Sequence, residues 1–145
     1  MLDNKSLAQA YFDKFGAGDL DGAGALMTPD CAHHLPGLGG DHAGPTSWRR
    51  TAEALRAAFP DLKFRVHRII AEGDRAAARI TWTGTHKGAF AGAAATGKPV
   101  EVNGTSIFRI KDQRIAEHWA EQDIMSLHQQ IGLIAGRSPP YQWTE

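Results

Sequence analysis

Few features of this sequence assign it at sight. There is one cysteine, Cys31, among 145 residues, which excludes an intrachain disulfide and suits a reducing, cytoplasmic setting. No run approaches the ~18 apolar residues that a membrane-spanning helix needs. The first residues, Met1 to Lys5, lack a basic region followed by an apolar stretch, so no secretory signal is expected. An excess of either charge is missing as well, since 16 Lys and Arg balance 16 Asp and Glu. That balance gives no electrostatic reason to expect nucleic acid or an anionic membrane as partner. The glycines between 37 and 44 do not end in the Gly-Lys-Ser/Thr of a phosphate loop. Cys31 has no basic cluster nearby in sequence to activate it as a nucleophile.

What is present is an ordinary globular composition, 42% apolar and 22% charged, enough for a single domain over 1–145 with one core. Leu7, Tyr11 and Phe15 recur at every fourth position after an N-cap at Asp3 or Asn4. This predicts an amphipathic helix ended by Gly16 and Gly18. A short, glycine-weakened helix is expected from Asp19 to Met27, then a turn at Thr28-Pro29-Asp30 and a strand from Cys31 to Leu35. Pro36 to Pro45 reads as a glycine-rich loop. Thr46 or Ser47 opens a third helix with Trp48, Ala52, Leu55 and Phe59 on one face, and Pro60 stops it.

Four long strands follow at 62–71, 76–86, 100–110 and 114–123. The short turns Glu72-Gly73-Asp74 and Lys111-Asp112-Gln113 join neighbours into hairpins. A last helix is expected from Met125 to about Ala135, and 136–145 reads as an extended tail. Three helices, a meander of strands and a closing helix make an α+β pattern. Long antiparallel strands twist and curl, so helices lying on the concave side leave a pocket between the layers.

The richest segment is Glu117-His118-Trp119-Ala120-Glu121-Gln122-Asp123. Alternation along a strand puts Glu117, Trp119, Glu121 and Asp123 on one face and His118, Ala120 and Gln122 on the other. A large aromatic seldom stands alone in water. The carboxylate face is therefore expected to line the pocket and His118 to turn away, with Glu117 serving as partner to an arginine such as Arg109 or Arg79. The register across the last hairpin stays open: a two-residue turn places Gly104 and Ser106 beside this face, whereas a three-residue loop with a bulge brings Asn103, Thr105 and Arg109 there.

Seven histidines stand at 33, 34, 42, 67, 86, 118 and 128. Of the adjacent pair His33 and His34 only one can point inward, and His34 is favoured. His67 and His128 read as surface or interface residues, and His42 as a loop residue. Adjacent histidines lack the spacing that puts two ligands on one face, and no Cys/His cluster exists, so neither metal nor cofactor is expected.

Three stretches fall into a familiar order: Phe59-Pro60-Asp61-Leu62 with Glu72-Gly73-Asp74-Arg75; Gly84-Thr85-His86-Lys87-Gly88 with Thr96-Gly97-Lys98; and Phe108-Arg109-Ile110 with Ile115-Ala116-Glu117-His118-Trp119, Asp123 and Gln129-Gln130-Ile131-Gly132. As a set they resemble the SnoaL-like polyketide cyclases, within the nuclear-transport-factor-2-like superfamily. The resemblance implies a cone-shaped α+β fold with a curved, mixed, mainly antiparallel sheet around an interior pocket. It also implies intramolecular aldol closure of a polyketide ester without metal or covalent intermediate, with an acid/base aspartate near the end of the last strand. Asp123 holds that place here. Where the family has a histidine two residues earlier, this chain has Glu121.

The expected site follows. Asp123 is the acid/base residue, helped by His34 and His86; Trp119, Glu121, His33, Phe15 and Trp48 hold a small-molecule substrate. A carboxylate in a dry pocket has its pKa raised, and Glu121, about 6–7 Å along the strand, raises it further. Two rivals remain: epoxide hydration or isomerisation in the same pocket, with Tyr11 and Asn103 positioning a water, or a non-catalytic binding module. The latter predicts a wet Asp123 and a sealed or apolar pocket. The aromatic tail suggests packing against another copy, so a homodimer or higher homo-oligomer is expected.

Overall fold

A computed structural model describes residues 2–135. Helix α1 (Asn4–Gly16) starts where Asp3 accepts the Ser6 N–H at 2.7 Å and buries Leu7, Tyr11, Phe12 and Phe15 along one stripe. Helix α2 (Leu20–Gly24) is only 5 residues long, capped by Asp19. Its glycines shorten it from the expected span. Strand β1 (Met27–Leu35) starts four residues earlier than expected and runs through Pro29. That is possible because its ladder is interrupted between Met27 and Ala32, where the missing proline N–H costs nothing. The expected loop contains a short strand, β2 (Gly40–Ala43), and α3 (Pro45–Ala58) is capped by Gly44 with Pro45 in its first turn.

Strands β3 (Lys63–Glu72), β4 (Arg75–Thr85), β5 (Pro99–Lys111) and β6 (Arg114–Gln122) match the sequence reading to within a residue at each end, and α4 (Ile124–Gln130) follows at once. The last helix stops short of the span expected to 135, and the tail at 136–145 lies outside the described residues. All six strands form one open sheet in the order β2-β1-β6-β5-β4-β3. The β1–β6 pair is parallel and the other neighbours are antiparallel. Helices α1 and α3 lie across the concave face, so this is the mixed α+β cone that the resemblance implied. Tyr11, Phe12 and Phe15 of α1 meet Trp48 of α3, Phe64 of β3 and Phe108 of β5 in one aromatic core. Among the described residues no helix is long and apolar enough to cross a membrane.

One local irregularity decides which side chains face that core. Asp112 and Gln113 both take positive φ, 50° and 61°, and close the β5–β6 hairpin as a two-residue turn. Lys111 pairs with Arg114 and Ile110 with Ile115, yet Arg109 pairs with Glu117. Ala116 is therefore an extra residue, a β-bulge, and both Ile115 and Ala116 are buried. Beyond the bulge the alternation is inverted relative to the turn. His118, Ala120 and Gln122 face inward; Glu117, Trp119 and Glu121 face out.

Candidate active site

The inner face carries a row of imidazoles. The register aligns His42 of β2 with His33 of β1, and His33 with His118 of β6, and His118 in turn with Phe108 of β5. Ring centroids are 5.1 Å apart for His33–His42, 6.1 Å for His33–His118 and 4.6 Å for His118–Phe108, the last pair stacked. His33 and His118 are buried. Burial disfavours their cationic forms and neighbouring imidazoles add to it, so His33 is pushed down to about 4 and His118 to about 3. Burial also lowers the pKa of His42.

The tautomer of His42 follows from its neighbour. Ser47 Oγ spends its single proton on the Ala43 or Gly44 carbonyl, at 2.6 and 3.0 Å. The His42 Nδ1 that lies 2.8 Å from Ser47 Oγ is therefore the donor, and its Nε2 is a bare acceptor. That Nε2 has no protein partner, nor do Nδ1 and Nε2 of His33 or Nδ1 of His118. His118 Nε2 lies 3.3 Å from Ser106 Oγ.

The row ends at an interior cavity of about 30 Å³, room for roughly one water. Its walls include Tyr11 and Phe15 of α1, Trp48 and Thr51 of α3, and Ser106, His118 and Gln122 of the sheet. Gln122 is fixed by the Trp82 indole, which donates to its Oε1 at 2.8 Å. No carboxylate lines this space; its titratable side chains are Tyr11 and His118. Leu38, from the turn between β1 and β2, closes one side. Together with Thr51 and Leu55 it also borders an outer groove of about 420 Å³.

The expected site residues are scattered. Phe15 and Trp48 line the cavity, and of the adjacent histidines it is His33, not the favoured His34, that points inward. His34 is on the outer face, between Glu117 at 2.8 Å and Asp41 at 3.2 Å, and stacks on Trp119. Glu117 also accepts from its expected partner Arg109 at 3.1 Å. The hydrogen bond from His34, then Arg109, holds the Glu117 carboxyl below its usual range, and the same bond raises His34. Trp119 lies under the Arg75 guanidinium, 5.6 Å from the ring centre. Glu121 is exposed on that face, so neither it nor Trp119 touches the cavity.

Asp123 is exposed and caps α4, accepting the Ser126 N–H at 3.0 Å; it is not a cavity residue. His86 is buried elsewhere. Its Nδ1 pairs with Thr96 Oγ1 at 2.9 Å and its ring packs on Phe59, which ties down the long β4–β5 connection. Asn103 is on the outer face, bonded to Thr81, with the whole sheet between it and Tyr11, so the water-holding pair of the epoxide reading does not assemble. His118, Tyr11 and Ser106, which do converge on the cavity, and His42, which reaches His118 only through His33, were hidden by the parity change at Ala116 and by the unforeseen β2. The only sequence signals for them were the helical stripe through Tyr11 and the small Ser106 beside a bulky strand. Among the described residues no group of three His, Cys, Asp or Glu is arranged to hold a metal ion.

Comparison with known proteins agrees with this architecture. No curated protein sequence matches the chain. Among solved structures, AclR, a candidate hydroxylase from Streptomyces galilaeus, superposes with a TM-score of 0.83 at 30% identity, covering 92% of this chain and 83% of that one. IdmH, a candidate polyketide cyclase from Streptomyces antibioticus, gives 0.77 at 32% identity, covering 87% and 96%. TsrD from Streptomyces laurentii gives 0.80 at 28% identity, covering 92% and 100%. The sequence model of the SnoaL-like polyketide cyclases matches residues 5–131, nearly the whole described chain, and the protein belongs to that family.

Proposed function

We propose that this chain is an acid/base enzyme that closes a ring by intramolecular aldol chemistry in a mostly apolar, polyketide-like carbonyl compound. The observation that carries this reading is the interior cavity, walled by aromatic rings and holding a neutral His118 whose Nδ1 has no hydrogen-bond partner. Aldol closure starts with removal of a proton next to a carbonyl. His118 takes that proton, the C–H electron pair passes into the enolate, and the enolate carbon attacks a second carbonyl. The proton on His118 then returns to the new alkoxide, so the balance needs no further reactant. The low pKa of His118 is no bar, because an enolate forming beside it favours the imidazolium.

As it stands the cavity accommodates water, not a polyketide. Leu38 is the partition between it and the outer groove, and with Leu38 withdrawn the joined space reaches the ~300–1,000 Å³ of ordinary ligand pockets. The turn that carries Leu38 has Gly37 and Gly39 on either side at φ 78° and 111°, so its backbone is built from residues that adopt such angles freely. Access through this turn is part of the proposal, as is action as a cytoplasmic homodimer.

The test is turnover of a panel of β-keto ester substrates, followed by mass spectrometry. His118→Gln is expected to lower turnover at least ~100-fold, the usual scale for an acid/base group. Asp123→Asn retains turnover, since asparagine caps α4 equally well. An inactive Asp123→Asn beside an active His118→Gln would return the role to Asp123 and sink the assignment. A second reading, a non-catalytic binding module, is favoured by the exposed Asp123 and the small, largely apolar cavity. It predicts saturable binding with no deuterium exchange next to the bound carbonyl.

A further inference from the structure

Tyr11 and Trp48 form a buried pair that the steps above leave unused. The Trp48 Nε1–H donates to the Tyr11 hydroxyl oxygen at 3.0 Å. Indole is a donor only, so this bond fixes Tyr11 as acceptor and leaves its own O–H hydrogen to be placed. No protein acceptor takes it: the Trp48 contact is the one hydrogen bond that the Tyr11 hydroxyl makes among the described residues. Tyr11 is 4% exposed, so solvent does not supply one freely either. Its ring lies 5.3 Å from that of His118, whose Nδ1 also lacks a partner, and both side chains wall the same cavity. A donor and a ring nitrogen that face one small space and do not reach each other leave a place for a third group that bonds both. Buried polar groups without partners are uncommon and call for a reason.

We infer that Tyr11, supported by Trp48, is the donor that holds the carbonyl oxygen of the substrate while it becomes an enolate. This rests on the acid/base reading above and assigns its oxyanion partner. A hydroxyl that already accepts one hydrogen bond is a stronger donor in its next, and in a water-poor site such a donor acts on developing charge with little reorganisation. Burial pushes the Tyr11 hydroxyl well above the usual tyrosine range, so it stays protonated and available to donate. The ligand class follows: a planar or near-planar carbonyl, enol or phenol with one oxygen directed at α1 and an acidic C–H or O–H directed at β6.

The experiment uses 2-naphthol, whose emission separates the neutral from the ionised form, with naphthalene as the oxygen-free control. The wild-type chain is expected to bind both, and the quantity read is the ratio of naphtholate to naphthol affinity. In Tyr11→Phe that ratio falls about ten-fold, one pH unit in the apparent ionisation of the bound probe, while naphthalene affinity is unchanged. Trp48→Phe keeps the hydroxyl and removes its supporting donor, so it lowers the ratio by a smaller factor. Because Tyr11→Phe leaves the Trp48 N–H without an acceptor, a second form guards against a folding defect. Fluorotyrosine placed at position 11 keeps the ring and acidifies the hydroxyl, and it raises the ratio. A purely structural role for the pair would leave the ratio untouched in all three. A ratio unchanged in Tyr11→Phe and fluorotyrosine overturns the inference and leaves the pocket reading intact, whereas a wild-type chain that binds neither probe overturns both.

Discussion

At the scale of single residues, the cost of the interior is paid in histidine protonation. His33 and His118 are held neutral in the fold and carry ordinary imidazole values near 6.5 when unfolded. Between those limits the unfolded chain binds more protons than the native one, so stability rises with pH there and is lost as pH falls from about 6.5 toward 4. For His33 alone the shift to about 4 corresponds to roughly 3 kcal/mol. The expected outcome is a urea midpoint that drops steeply below pH 6.5, with His33→Phe flattening that slope; an unchanged slope in the variant would show the row to be protonated in the fold. His34 works in the opposite sense, since its raised pKa adds stability that is present at low pH and fades as pH rises through it, weakly because it is solvent-screened. None of this was legible from the residues alone. A neutral buried histidine and a paired outer one have the same letter, and His33 and His34 differ only in which face the strand gives them.

At the scale of elements, periodicity located α1, α3 and β3 to β6, because each owes its existence to a local pattern of apolar side chains. Strand β2 has no such pattern. Gly40–Ala43 is recruited by the edge of β1, which offers unpaired backbone groups, and its identity is a tertiary fact. The bulge at Ala116 is similar in kind: Ile115 and Ala116 are both apolar and give no sign of which is the extra residue. The turn between β1 and β2 carries the prediction proper to this scale. Leu38 is half-buried and separates cavity from groove. Leu38→Ala removes that partition, and the association rate of 2-naphthol in stopped flow is expected to rise several-fold with a loss of stability of about 1 kcal/mol, small for a core truncation because the site is open on one side. A rate unchanged from wild type would place the entrance elsewhere.

At the scale of the whole molecule, the α+β cone could be read from element order, and the family from the ordered motifs, but the geometry of the cavity could not. Fold depends on the sum of many patterns and survives a slip at one position, whereas a site depends on parity and fails with it. The outer face bears on assembly. Ile70, 61% exposed, and Ile107, 39% exposed, fall in one cross-strand line with Ala77 and Trp119. If two copies meet through this line, the wild type has the mass of a dimer by light scattering, and Ile107→Lys has that of a monomer; a monomeric wild type would end the proposal. The same sheet separates two chemistries, and Ala116 allots them. It acts on β6 as a reading frame acts on a message. With Ala116 set aside as a bulge, the strand spells imidazole, methyl and amide toward the interior and carboxylate, indole and carboxylate toward the exterior. With Ala116 taken into the ladder as an ordinary residue, the two texts trade places. A relative that pairs this residue and so smooths out the bulge would present Glu117 and Glu121 to its cavity with no other change, so within this fold a base of one kind is exchanged for another by pairing before any substitution is made.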